Sequence, residues 1–148
     1  MSMKPYEVVK RALHFQGPDR LPIRFATLGI NDTHGVPTNA IGTGDHALRQ
    51  TYDEWNCLWA RSELANMGQV KGHPLEDWSA IDSYLWPDPE DSAYYAGMDN
   101  RFAGSEDKYV TTGIFMLLSE RMHSLRAMAN VLTELYTDRG RMEDLADR

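Results

Sequence analysis

The chain has a single cysteine, Cys57, so no disulfide can form within it, and that scarcity fits a reducing compartment. Positive charge is also short: 15 Lys and Arg stand against 22 Asp and Glu, a formal net charge of −7. Nothing gathers the cations that would replace the counterions of a nucleic-acid backbone, which argues against nucleic acid as the main partner. An anionic membrane surface is disfavoured on the same ground. Long apolar runs are missing, and no stretch approaches the length of a membrane span. Residues 1–16 carry charges throughout, in place of the apolar core of a secretion signal. The expected setting is cytoplasmic, with no membrane and no nucleic-acid partner. The five histidines, His14, His34, His46, His73 and His123, do not pair at ligand spacing such as i, i+4 on one helix. No metal site is therefore expected in this chain.

What is present centres on residues 108–138, KYVTTGIFMLLSERMHSLRAMANVLTELYTD. Tyr109 to Phe115 is β-branched and aromatic without charge, the composition of a strand. Leu118, Met122, Leu125, Ala129, Leu132 and Tyr136 then recur at steps of four and three, which predicts one long amphipathic helix. A strand feeding such a helix is a βα unit, and it needs neighbours in a parallel sheet to bury both strand faces.

Upstream, Pro5 to Gln16 reads as a first helix, with Tyr6, Val9, Ala12 and Leu13 on one face, and Gly17-Pro18 ends it. Leu21 to Leu28 reads as a short strand, expected to lie parallel to the strand at Tyr109–Phe115 and adjacent or nearly so. Gly29 to Gly44 reads as a long loop, the kind that is often functional. Tyr52 to Arg61 alternates, with Trp55, Cys57 and Trp59 on one side. Across a turn at 66–68 it forms a hairpin with Gln69–Lys71. Residues 73–84 read as a short helical piece. A last helix starts at Arg141 and reaches the end of the sequence without a stop signal, so the 148 residues are expected to be the first, incomplete part of something larger.

Several motifs resemble, in order, the N-terminal part of the uroporphyrinogen decarboxylase superfamily, especially its corrinoid-linked methyltransferase-like branch. The opening helix is followed by GPDRLPI. Tyr52 to Trp59 is similar to that branch's D-E-W-G-C/V-x-W segment, with Asn56 where glycine is usual. His73-Pro74-Leu75-Glu76-Asp77-Trp78 with Tyr84 to Pro89 is similar to H-P-L-x-D-W…Y-x-x-P-D-P. Ser119-Glu120-Arg121 with Ser124-Leu125-Arg126 resembles F-E-R…L-R-G, with Ser119 for the aromatic residue and Ala127 for the glycine. The resemblance implies an α/β chain forming a partial TIM (β/α)₈ barrel. Residues 1–148 would supply about three of its eight βα units, plus an N-terminal helix and an extra β-hairpin outside the barrel sheet.

By the same resemblance, the function is that of an N-terminal segment of a corrinoid-dependent methyltransferase-type enzyme, inactive alone. The alternatives are a tetrapyrrole decarboxylase or a non-catalytic structural partner subunit. Corrinoid and zinc are implied for the complete protein only: the zinc pattern H-x-C…C lies in the barrel's second half, and this chain has no His-x-Cys. A second-half barrel chain or self-association is the implied macromolecular partner, and a methyl donor or a tetrapyrrole the small molecule. The arginine-bearing loop that holds carboxylates in true decarboxylases reads here as Thr27 to Asp32, without arginine.

The candidate catalytic residues are Asp53, Glu120 and Arg121. Alternation puts Asp53 and Glu54 on opposite faces, so at most one points into a site. Glu120 and Arg121 stand at a strand-to-helix junction, where an arginine can hold a carboxylate in a bidentate fork; a purely structural Glu–Arg pair is the equal alternative. His34 and His46, in or beside the glycine-rich loop, and Arg126, in the matched L-R segment, are the candidate substrate-binding residues. The tryptophans read as core anchors and Met116, Met122 and Met128 as core.

Overall fold

The computed structural model describes residues 2–37, 49–63, 68–113 and 116–148. In chain order the elements are α1 (Pro5–Leu13), β1 (Arg24–Phe25), β2 (Ile30–Asn31), β3 (Thr33–Gly35), β4 (Gln50–Tyr52), β5 (Leu58–Ala60) and β6 (Gln69–Gly72). There follow α2 (Met98–Phe102), β7 (Tyr109–Thr111), α3 (Leu118–Arg126), α4 (Met128–Thr137) and α5 (Arg139–Ala146). Among the described residues this is a mixed α/β chain whose sheets have two, two and three strands, none closed into a barrel. No helix among them is long and apolar enough to cross a membrane.

The chain forms two compact units. The first gathers α1 to β3 with α2 and β7. Pro5 opens α1 with its φ already helical, Glu7 lies in the first turn, and Lys10 and Arg11 in the last, each sign where the helix dipole favours it. The helix ends at Leu13, short of the expected Gln16, and Phe15 and Gly17 follow with φ of 56° and 61°. Tyr6 stacks on Tyr109 at 5.7 Å, and Val8 is fully buried. β3 and β7 pair in parallel, Thr33 with Tyr109, His34 with Val110 and Gly35 with Thr111.

The parallel partner is thus not the one expected. The Leu21–Leu28 stretch yields only Arg24–Phe25, which pairs antiparallel with β2. Gly29, at φ 67°, turns the chain back on itself. Buried Asp32 then locks the return by taking a two-pronged ion pair from Arg20, at 2.5 Å to each oxygen, and the Ile23 N–H at 2.7 Å. The strand beside β7 comes instead from Thr33–Gly35, within the stretch expected to be loop.

The second unit holds β4–β6 and α3–α5. β4, β5 and β6 form one antiparallel sheet, where the alternation predicts a single hairpin from a strand over Tyr52–Arg61. That strand is cut at Asp53. Its carboxylate accepts the N–H groups of Trp55 and Cys57 at 3.0 and 2.8 Å, its carbonyl accepts the Asn56 N–H at 2.9 Å, and Asn56 takes φ 54°. A side chain that folds onto its own backbone offers a turn in place of a ladder, and here it wins over alternation. At the next strand connection Gly68 has φ 85°, and a Cβ there would stand 2.7 Å from the Ala60 carbonyl oxygen, so only glycine fits.

The expected single helix over Leu118–Tyr136 is two helices. Ala127 sits between them at φ 68°, ψ 139°, a conformation that breaks the ladder. The break re-phases the second helix: Val131 is buried, while Leu132 and Tyr136, expected on the inner face, are 52% and 93% exposed. The core is built from Cys57, Trp59, Leu75, Met122, Leu125, Val131, Met142 and Leu145. Met128, Leu132, Leu135 and Tyr136 leave an apolar stripe along the outside of α4.

An alanine at positive φ with extended ψ carries about 1–3 kcal/mol of backbone strain. Replacement by glycine removes that strain and adds back part of it as unfolded-state entropy. Ala127→Gly is therefore expected to raise stability by about 1 kcal/mol, whereas Ala129→Gly, inside α4, lowers it by about 0.5–1 kcal/mol. Urea unfolding of the two variants side by side checks the opposite signs.

Candidate functional site

Asp53 is the centre of a buried polar cluster in the second unit. Besides its two backbone contacts, Oδ2 accepts the Trp59 indole N–H at 2.8 Å and an Arg121 Nη1–H at 3.3 Å. The Asp53 side chain is fully enclosed and that of Arg121 is 9% exposed. The guanidinium also lies over the Trp55 ring, 4.6 Å from its centre. The Tyr84 hydroxyl donates to the Trp55 carbonyl at 2.6 Å, and Trp86 packs edge-on against both rings. Burial, with the neighbouring Cys57 and Asp53, raises the Tyr84 hydroxyl above its usual pKa.

Two candidate catalytic residues, Asp53 and Arg121, are thus brought together. Glu120 adjoins Arg121 in sequence but is exposed. Its Oε2 accepts the Leu117 N–H at 3.0 Å, closing the first turn of α3.

Cys57 lies beside this cluster. Its thiol donates to the Ser124 carbonyl at 3.4 Å, and burial first, then the nearby Asp53 charge, push its pKa up to about 12. A thiol held protonated is a poor nucleophile. The native chain is expected to resist iodoacetamide at pH 8 and to react stoichiometrically once unfolded in urea. Rapid alkylation of the folded chain, followed by mass spectrometry, is the result that would refute this.

Arg126 anchors a second cluster. Nε donates to Glu134 Oε2 at 2.6 Å and Nη2 donates to Glu134 Oε1, while Nη1 donates to the carbonyls of Leu75 and Glu76 at 2.6 and 2.7 Å. The guanidinium stacks 3.9 Å from the centre of the Trp78 ring, whose N–H donates to Glu134 at 3.1 Å. The two-pronged edge of Arg126 is taken by Glu134, so holding a substrate carboxylate would require this pair to open. Hydrogen bonds from Arg126 first, and from Trp78, keep the Glu134 carboxyl below its usual range despite burial.

His34 belongs to the first unit, where its Nε2 donates to the Arg101 carbonyl at 2.8 Å, since a carbonyl can only accept. His46 lies outside the described residues. Glu134, Trp59, Trp78 and His73 were not singled out as functional from the sequence. In one unbroken helix Arg126 and Glu134, eight residues apart, would stand about 12 Å from each other along the axis, and they come into contact across the break at Ala127. The signal that was available is the Asp53-to-Asn56 composition, which suits a turn.

Among the described residues no group of three or more His, Cys, Asp or Glu side chains could hold a metal. Comparison with known protein families, with curated proteins and with solved structures returns no match to this chain.

Proposed function

We propose that the chain is the N-terminal portion of a uroporphyrinogen decarboxylase-like (β/α)₈ barrel of the corrinoid-dependent methyltransferase type, inactive without a second-half partner. The observation that carries this reading concerns glycine. At the two positions where the matched segments depart from a family glycine, Asn56 and Ala127, the backbone takes φ of 54° and 68°. Those are conformations that favour glycine; asparagine enters them readily in a turn, whereas Ala127 does so only under strain. A strained alanine where the matched family segment carries glycine fits descent from a glycine-bearing fold, although Phe15 and Met116 take positive φ without such a counterpart.

Convergence of the motifs adds support. Asp53 and Trp59 of the first segment meet Arg121 of the third. His73 and Leu75 of the second bond to Ser124 and Leu125 of the third, and Arg126 binds the Leu75 and Glu76 carbonyls. The parallel β3–β7 pair is the start such a barrel needs. In this reading Asp53, Arg121 and Arg126 hold the barrel's wall in register, and the methyl-transfer chemistry, with zinc and corrinoid, belongs to the complementary half.

The test is co-expression with the second half of a corrinoid-linked methyltransferase of this superfamily. The expected result is a one-to-one complex that turns over methylcobalamin with 2-mercaptoethanol as acceptor, neither half doing so alone. A chain that stays uncomplexed, with no turnover, overturns the proposal. A non-catalytic structural subunit is the second reading, favoured by the full pairing of Asp53 and Arg126; it predicts a complex without turnover. The absence of arginine from Thr27 to Asp32 weighs against the tetrapyrrole decarboxylase alternative.

A further inference from the structure

A cleft of about 500 Å³ runs between β6 and α3, within the second unit. Its size suits a small organic ligand. Trp59, Val70, Met116 and Met128 give it an apolar floor and rim. Met128 and Met116 bring a soft, adaptable surface to an aromatic ring.

The polar groups lining it differ from the rest of the chain. The molecule carries a net charge of −7, yet here Lys71, His73 and His123 face a single carboxylate, Glu120. Glu120 is already engaged through Oε2 with the Leu117 N–H. His73 is held in one orientation: its Nδ1 lies 2.8 Å from the Ser124 carbonyl, which can only accept, so Nδ1 carries the hydrogen. Its other ring atom, Nε2, has no partner among the described residues, and neither do Lys71 Nζ or the His123 ring. Nitrogen groups of this kind over an apolar floor are the complement of a planar acid.

We propose that this cleft binds a small organic acid with an aromatic-sized apolar body. The body lies on Val70 and the two methionines, with buried Trp59 beneath them. The carboxylate pairs with Lys71 and His123, and a polar substituent meets His73 Nε2. The inference does not depend on the barrel reading, because every residue it uses lies in one unit of this chain.

The experiment titrates the intact chain with 4-hydroxyphenylacetate and follows the imidazole ring signals of His73 and His123 by NMR. Saturable shifts of both rings are expected. Lys71→Glu is expected to weaken binding by about tenfold or more, and the neutral probe 4-hydroxyphenylacetamide to bind the wild-type chain about tenfold more weakly. Lys71 is exposed, so the variant should keep the wild-type unfolding midpoint. His73→Phe provides a second variant and is expected to weaken the hydroxyl-bearing probe more than plain phenylacetate. No saturable shift in the wild-type chain, or equal binding of acid and amide, overturns the proposal.

Discussion

Asp53→Ala is expected to unfold the second unit or bring it close to unfolding. The substitution leaves Arg121 buried without a counter-charge, and removing one partner of a buried pair costs about 3–5 kcal/mol. It also strips acceptors from the Trp59 indole and from the backbone N–H groups of Trp55 and Cys57. Against a total of about 5–15 kcal/mol for a domain, that is a large share. Asp53→Asn retains an oxygen for the turn and should cost less, about 1–3 kcal/mol. Urea unfolding followed by tryptophan fluorescence separates the three proteins, and an alanine variant with an unchanged midpoint would show that the cluster contributes little.

Arg126→Ala should be nearly as damaging, at about 3–5 kcal/mol, because Glu134 loses its counter-charge, keeping only the Trp78 N–H, while the Leu75 and Glu76 carbonyls lose the Arg126 donor. Lysine cannot restore the fork or the stacking on Trp78, so Arg126→Lys should recover only part of the loss. The same pair gives the chain an acid limb. Glu134 has a folded pKa below its unfolded value of 4.5. Its contribution is therefore complete above about pH 4.5 and is lost as pH falls through the lowered folded value. Glu134→Gln is accordingly expected to be less stable than the wild-type chain at pH 7 and to converge on it in strong acid. A deficit that stays constant from pH 7 to pH 2 would mean that the charge of Glu134 is not what matters.

The parts of this architecture that the sequence discloses are those set by local rules. Pro5 and Glu7 mark the start of α1, and the strand start at Tyr109 follows from its composition. Trp59 turns inward as its alternation implies. The parts it hides depend on one residue overriding many. Ala127 is a good helix former, so nothing in periodicity reveals a break there, and the loss of phase sends Leu132 and Tyr136 outward. Asp53 ends a strand whose alternation is otherwise regular. The parallel partner of β7 is Thr33-His34-Gly35, three residues ending in a glycine, too short to show a strand period. Of the candidate site residues, Asp53 and Arg121 meet through a contact spanning 68 positions, a distance over which spacing says nothing.

The apolar stripe on α4 sets how this chain behaves in concentrated salt. The helix has one charged residue, Glu134, and it is consumed by Arg126, so the outer side of α4 presents Met128, Leu132, Leu135 and Tyr136 without an ion among them. At low ionic strength the net charge of −7 keeps copies apart. Sulfate screens that repulsion and, being excluded from protein surfaces, strengthens apolar contact. Precipitation by ammonium sulfate should therefore begin early and shift to higher salt in a Leu132→Lys/Leu135→Glu variant, as light scattering would record. In a fractionation, the outer side of one ten-residue helix would shift the position of the whole protein.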